Sequence, residues 1–339
     1  MNESDLEAVR RAWRDANLVP LWESPTAHKP PPAPDEAQHW AWDQIRPLLG
    51  EAMKITSPDV VERRVLSLVN PRRRYDDDEA TARTLAAAMQ VLMPGERARP
   101  HRHTMNALRF VLEGQGATTF VDRKPCRMER HDLILTPAWT WHEHAHEGSE
   151  PVVWLDVLDV PLHLWLGNVV FQPGPINDGP RTIPDQAFAC ANVLPVLDQE
   201  YSKPYSPVYR YPYADAVSAL GAAPRMSDGT RRIRYVNPLS GQGAMSLMDM
   251  TLMEIEKGIP TMLARTNANV VCCVAEGHGE TTVGAKVIRW SANDVFTVPQ
   301  NNWTSHCAHS DHARLLVVTD RDMLNRLGIL REEKIPSQV

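Results

Sequence analysis

Apolar and polar positions alternate in short runs over two separate stretches of the chain, 86–160 and 244–319. In the first, the runs break at Pro94-Gly95, Glu113-Gly114-Gln115-Gly116 and Thr136-Pro137. This is the turn spacing of an all-β barrel or sandwich. Outside these stretches the pattern changes. Glu3–Ala16 and Ala37–Leu49 read as helices, Val60–Val69 as a strand, and residues 171–235, rich in Pro, Gly, Tyr and Asp, as a connector with a helical patch at Ala187–Leu197. The run His28-Lys29-Pro30-Pro31-Pro32-Ala33-Pro34 cannot continue a helix and is expected to lie extended, over another surface or another subunit. Arg72–Arg74 with Asp76–Glu79 reads as a solvated charged loop.

The two alternating stretches repeat each other. Val111-Leu112-Glu113-Gly114-Gln115-Gly116 matches Val274-Ala275-Glu276-Gly277-His278-Gly279. Asp132, Pro137 and Trp141 match Asp294, Pro299 and Trp303, each 162 residues on. Shared turn residues in the same order predict a duplicated β-barrel. The fold expected is therefore dominated by β-structure, with helices at the N-terminus and in the linker. An arm with the first strands covers 1–75, barrel 1 covers 76–170, the connector 171–235, barrel 2 236–325 and a tail 326–339.

Composition removes several function classes. The chain has 339 residues, 43% hydrophobic and 23% charged, enough for a sizeable core. A net charge of -6 has the wrong sign for a partner held by phosphate neutralisation, so no nucleic acid is expected. The longest apolar stretch, 152–171, is interrupted by Asp156, Asp159 and His163, so no membrane span is expected. Five scattered cysteines and a polar N-terminus suit a reducing, cytoplasmic setting. Proline, at 28 residues, runs above the usual ~5% and favours short strands and turns.

Seven of the 13 histidines fall between residues 101 and 163. In a strand, residues i and i+2 share a face, so His101 and His103 can both point into a barrel. The strand entered after Thr136-Pro137 can bring His142 beside them. Three converging imidazoles bind a divalent metal and leave coordination positions open. In barrel 2 the corresponding residues are Ala264, Thr266 and Thr304, none a competent metal ligand, and His306, His309 and His312 read as surface or core residues, so one metal per chain is expected.

These motifs carry a resemblance. Residues 94–146 look like the two motifs of the cupins, and the whole chain resembles the bicupin gentisate/salicylate 1,2-dioxygenases, ring-cleaving enzymes. The likeness rests on His101-Arg102-His103-Thr104, Ala107-Leu108-Arg109-Phe110, Thr136-Pro137, Trp139-Thr140-Trp141-His142 and Trp154-Leu155-Asp156. It extends upstream through Glu62-Arg63-Arg64-Val65-Leu66 to Asn17–Trp22. It implies cupin (double-stranded β-helix, jelly-roll) barrels and one Fe(2+) per chain on three histidines. It also implies cleavage of a salicylate-type acid between its carboxyl-bearing and hydroxyl-bearing carbons, with both atoms of O2 incorporated. Many cupins carry a fourth, glutamate ligand shortly after the His-x-His pair; here that place holds Asn106 or Ala107. Its loss leaves room for a bidentate aromatic acid and dioxygen.

Several side chains are candidates for handling that acid. Arg109, inside the barrel strand, needs an anion: a substrate carboxylate, or an internal partner in Glu113 or Asp156. The resemblance places a carboxylate-binding arginine at Arg63 or Arg64, neighbours of which one alone can face inward. Gln90 and His144 match substrate-lining positions, and His144 is either a proton donor or acceptor near oxygen or a structural group. Asp156 can accept a hydrogen bond from the 5-hydroxyl of gentisate. Ala86 stands where the family has a bulky aromatic, which suits a larger or less electron-rich acid such as 5-nitrosalicylate. His131 and His146 read as structural, while Trp139, Trp141 and Trp154 read as core or pocket lining. Spacing does not separate iron from zinc. The competing readings are a metal-dependent cupin isomerase or decarboxylase and a non-enzymatic ligand-binding bicupin. The two-barrel design and the N-terminal arm suggest a homo-oligomer, a tetramer or a dimer.

Overall fold

The structure, a computed structural model, describes residues 3–24, 35–73, 79–176, 182–190 and 192–335. The proline run at 28–34 lies outside them, as do Arg74 and Asp76–Asp78 of the charged loop. Residues 3–24 form a unit of their own: helix α1 (Glu3–Asp15) and a 3-10 turn (Leu21–Glu23). The Arg10–Glu23 ion pair (3.0 Å) and an edge-on Trp13–Trp22 contact fold that turn back on the helix.

The first half of the second unit holds β1 (His39–Trp40), α2 (Trp42–Ile55), α3 (Pro58–Val61), β2 (Val65–Ser67) and β3 (Ala86–Leu92). It continues with β4 (Arg97–His103), β5 (Ala107–Glu113), β6 (Ala117–Val121), β7 (Lys124–Arg127), β8 (Leu133–Thr136), β9 (His142–His146), β10 (Val152–Leu158), α4 (Val160–Leu166) and β11 (Phe171–Pro173). The second half repeats the plan. It comprises β12 (Arg210–Tyr211), α5 (Tyr213–Ala222), β13 (Thr230–Arg234), β14 (Asp249–Ile255), β15 (Leu263–Thr266), β16 (Val270–Glu276) and β17 (His278–Val283). Then follow β18 (Lys286–Ser291), β19 (Val295–Val298), β20 (Thr304–Ala308), β21 (Ala313–Thr319), α6 (Arg321–Arg326) and β22 (Glu332–Ile335).

Each barrel is a six-stranded sheet facing a five-stranded one: β12-β8-β5-β10-β3-β2 with β11-β4-β9-β6-β7, and β1-β19-β16-β21-β14-β13 with β18-β17-β20-β15-β22. Strand alternation sorts the side chains. Leu108, Phe110, Leu155 and Val157 leave barrel 1 to meet Leu252, Val271, Leu316 and Val318 of barrel 2, and helices α2 and α5 complete this shared core. Their neighbours Val111, Val152 and Trp154 point inward and line the floor of barrel 1. The duplicated β fold is thus present.

Three local expectations change. Helix α2 starts at Trp42, after a strand at His39–Trp40, because Asp294 accepts a hydrogen bond from Trp42 N (2.7 Å) and meets His39 Nε2 (2.9 Å). The strand expected over Val60–Val69 shrinks to Val65–Ser67 behind a sharp bend at Glu62 (φ +59°). The Ala187–Leu197 patch forms only the 3-10 turn Asp185–Phe188. Val193 and Val196 are exposed there, so no apolar stripe is buried to hold a helix.

Stretch 171–235 does more than connect. β11 joins one sheet of barrel 1 and β12 the other, while β13 joins barrel 2. The arrangement is reciprocal, since β1 pairs in barrel 2 and β2 in barrel 1. Asp132 treats Tyr213 N (2.9 Å) and Arg210 as Asp294 treats Trp42 N and His39. Each half therefore lends the first strand of a strand-helix-strand segment to the other half's barrel and keeps the second.

Candidate metal centre

His101 and His103 sit on β4, and His142 and His144 on β9. The two strands pair antiparallel with a register shift between Ala98 and His101. Pro100, which cannot donate to a ladder, lies in that bulge. Beyond it His101 stands directly opposite His142, so both rings project from one face. The ligand atoms of His101, His103 and His142 all lie within 4.8 Å of one another, and all three side chains are buried. Ring centroids are 4.4 Å apart for His101–His142 and 4.8 Å for His103–His142.

The outer nitrogens are each occupied. His103 Nδ1 lies 2.9 Å from Met105 O, His142 Nδ1 3.1 Å from Thr140 O, and His101 Nδ1 2.9 Å from Glu62 Oε1. A carbonyl oxygen only accepts, so Nδ1 of His103 and of His142 carries the proton and Nε2 keeps its lone pair, whereas His101 Nδ1 meets both an acceptor, Glu62, and a donor, Arg63 Nη2. Burial, reinforced by nearby Arg63 and Arg109, pushes the pKa of His101 down to about 2, and burial lowers that of His103 to about 4. Burial also holds His142 well below the usual histidine range. His142 Nε2 is buried with no hydrogen-bond partner. Three neutral imidazoles with converging lone pairs form a donor set that fits a divalent metal.

Arg109 enters from β5, directly opposite Asp156 on β10. Its Nη1 donates to Thr136 Oγ1 (2.8 Å) and its Nε lies 3.3 Å from Asp156 Oδ1. Neither Nε nor Oδ1 has a hydrogen-bond partner, so the pair is close but not aligned. Asp156 Oδ2 accepts from Trp154 Nε1 (3.0 Å). Burial raises the Asp156 carboxyl to about 6, against the pull of Arg109. Glu113, the other partner considered for Arg109, instead holds Arg46 (2.7 Å).

Of the neighbouring arginines, Arg63 faces the histidines, its Nη2 3.1 Å from His101 Nδ1. Burial, then repulsion from Arg109, lowers its pKa to about 10. Arg64 is taken up elsewhere, by Glu96 (2.7 and 3.0 Å) and Thr56 O (2.6 and 3.0 Å). Gln90, buried on β3, and Ala86 share that strand's inward face with Leu92. Gln90 stands opposite Trp154 and Ala86 opposite Leu158.

His144 donates to or accepts from Thr119 Oγ1 (2.9 Å), while its buried Nε2 has no partner. Barrel 2 repeats this contact as His306–Thr281 (2.8 Å), so the pair is part of the duplicated frame. His131 stacks on Phe110, and His146 is tied to Glu150 O (2.6 Å). Trp139 and Trp141 sandwich Arg102 at 4.4 and 4.7 Å, away from the triad, and Trp154 lies in the barrel floor. Two neighbours escaped the sequence reading, Glu62 and Phe171. The Phe171 ring lies 4.8 Å from His101 because β11 pairs with β4, and a three-residue edge strand leaves no periodic signal.

Barrel 2 has the same strands without the chemistry. Ala264 faces Thr304 where His101 faces His142. Cys272 faces Val317 where Arg109 faces Asp156. Its interior is an apolar cluster around Trp290 and Phe296.

Comparison with known proteins gives a consistent picture. Residues 88–158 match the Cupin domain family. The chain is 35% identical to gentisate 1,2-dioxygenase of Ralstonia sp. over 335 residues, 96% of this chain and 94% of that one. It is 34% identical to 5-aminosalicylate 1,2-dioxygenase of Comamonas sp., covering 98% and 91%. The crystal structure of salicylate 1,2-dioxygenase from Pseudaminobacter salicylatoxidans superposes with a TM-score of 0.87 at 27% identity, over 98% and 99% of the two chains. With a buried histidine triad in one of two cupin barrels, the chain belongs to the gentisate/salicylate 1,2-dioxygenase family of ring-cleaving dioxygenases.

Proposed function

We propose that the protein is an iron(II) enzyme, with one Fe(2+) per chain on His101, His103 and His142, that opens the ring of a salicylate-type acid. Gentisate and 5-nitrosalicylate are the substrates we favour. The observation that carries the reading is the triad itself: three buried neutral imidazoles, each hydrogen-bonded at Nδ1, whose ligand atoms all lie within 4.8 Å of one another. No fourth carboxylate joins them from the place where cupins often carry one. Asn106 is engaged with Asp159 (2.7 and 2.8 Å) and Ala138 N (3.0 Å). When bound, ferrous iron supplies the electrons that make dioxygen reactive toward an aromatic ring.

The chain's own residues do the rest. Arg109, buried, and Arg63, half-buried, put two positive charges beside the triad, partly offset by Asp156, so the pocket favours an anion. The substrate carboxylate meets these charges, which orients the ring edge bearing carboxyl and hydroxyl toward the triad. Asp156 accepts a hydrogen bond from a 5-hydroxyl, and Gln90 and Ala86 border the ring. His144, held by Thr119, presents Nε2 for a proton at the reacting oxygen. Arg64 remains outside this set because its guanidinium is spent on Glu96 and Thr56. Barrel 1, within 76–170, is the metal-binding domain, and barrel 2, within 236–325, packs and stabilises. The two-barrel design supports assembly into a homo-oligomer, a tetramer. The free cysteines support a cytoplasmic setting, and no described helix is long and apolar enough to cross a membrane.

Oxygen uptake by anaerobically iron(II)-loaded protein tests the reading. The panel is gentisate, 5-nitrosalicylate, 5-aminosalicylate, salicylate and 1-hydroxy-2-naphthoate, with ultraviolet spectra of the products. One O2 consumed per ring opened is expected for at least one acid. Bound iron with no uptake on any of them would move the function to a metal-dependent isomerase or decarboxylase.

A further inference from the structure

The approach to barrel 1 contains a bend that the pocket charges do not explain. Glu62 holds φ +59° and ψ −49°, and Arg63 N donates to Val61 O at 2.5 Å. This is a γ-turn of the rare positive-φ kind, strained for a residue with a side chain. Such strain persists only where the surroundings over-determine it. Here the turn brings two side chains to one atom. Glu62 Oε1 lies 2.9 Å from His101 Nδ1, and Arg63 Nη2 lies 3.1 Å from the same nitrogen.

Those two neighbours ask opposite things of the ring. A carboxylate accepts, so it favours a proton on Nδ1; a guanidinium only donates, so it favours a bare Nδ1. With Arg63 alone, the ring proton would move to Nε2 and cover the lone pair that faces His103 and His142. Those two histidines meet no such conflict, since backbone carbonyls hold their Nδ1 atoms. Of the three, His101 alone depends on a side chain.

We propose that Glu62 is a positioning residue that sets the Nδ1–H form of His101 against Arg63, turning its Nε2 lone pair toward the metal. The inference rests on His101 being a ligand. The test compares Glu62→Ala, Glu62→Gln and Glu62→Gly with the wild type, with His101→Ala as the control. Iron(II) affinity is read by chelator competition, and the tautomer by ring nitrogen-15 shifts of the metal-free chain. Loss of an outer partner of a metal-bound histidine lowers metal affinity about 10- to 100-fold. That loss is expected in Glu62→Ala, with the proton on Nε2. Glu62→Gln keeps a neutral acceptor and is expected to restore Nδ1–H and most of the affinity. Glu62→Gly relaxes the bend, so its thermal midpoint should exceed that of Glu62→Ala while its iron affinity stays equally poor. Wild-type affinity and Nδ1–H in Glu62→Ala, with iron lost in His101→Ala, would overturn the role of Glu62 alone. Iron retained in His101→Ala would overturn the ligand reading and this inference with it.

Discussion

Arg109 is the residue where burial and charge most directly imply a ligand. It is buried opposite Asp156, yet their closest atoms sit 3.3 Å apart without a hydrogen bond. The guanidinium thus retains capacity for a second anion. Hydrogen bonds to charged groups are worth about 1.5–3 kcal/mol, or roughly 10- to 150-fold. Arg109→Gln should therefore lower kcat/KM by about that factor through a raised KM, with iron content unchanged; unaltered steady-state kinetics would remove its role. At this scale much was legible in sequence. A His-x-His pair on a strand carries its own geometry, because i and i+2 always share a face. The Nδ1 anchors were not legible, since Met105 O and Thr140 O are backbone atoms that any residue would supply. The choice between Arg63 and Arg64 also had to wait: alternation says that one faces in, and only the partners Glu96 and Thr56 say which does not.

Among elements, the hinge between each barrel and its closing helix is built twice from the same parts. Asn106 gives its backbone N and its amide to Asp159, at 2.8 and 2.7 Å, where α4 begins. Asn269 does the same with Asp320 at the start of α6, at identical distances. Thr84 from the first half reaches Asn269, and Ser246 from the second reaches Asn106. Buried carboxylates with two donors (Asp159) or three (Asp320, which also accepts from Thr84 Oγ1 at 2.6 Å) are costly to remove, so Asp159→Ala and Asp320→Ala should each destabilise by about 1–3 kcal/mol in urea unfolding. His163, one turn into α4, adds a pH signature. Asp159, 3.5 Å from its ring, raises its pKa above 6.5 against the cost of burial. A raised histidine contributes stability that is fully present below the unfolded value of about 6.5 and is lost as pH rises through the folded value. Wild type should therefore lead His163→Gln in unfolding free energy at pH 6, and the lead should shrink by pH 9. A lead that grew with pH would contradict this coupling. Neither hinge could be read along the chain, because each joins residues more than fifty positions apart.

In the whole molecule, one frame is built twice with different residues at corresponding positions. Both barrels keep the turns, the buried histidine–threonine contact and the helix hinge. Barrel 2 has Ala264, Thr266 and Thr304 where barrel 1 has its triad and Cys272 and Val317 where barrel 1 has its ion pair, and its interior packs as an apolar core. Metal content should accordingly be one iron per chain, and His142→Ala should take it to near zero rather than to half; elemental analysis of the purified variants decides this. The amino-acid order by itself determined the duplicated β pattern, the three histidines, the lack of a carboxylate at Asn106 and the lack of matching histidines at Ala264, Thr266 and Thr304. All of these follow from local periodicity, turn chemistry and residue type. Tertiary structure alone decided the rest: the strands β1 and β12 exchanged between barrels, the edge strand that sets Phe171 on His101, and the strained turn that sets Glu62 against Arg63. These contacts join positions far apart in sequence, and nothing local in the chain selects one such pairing over another; packing of the complete core does.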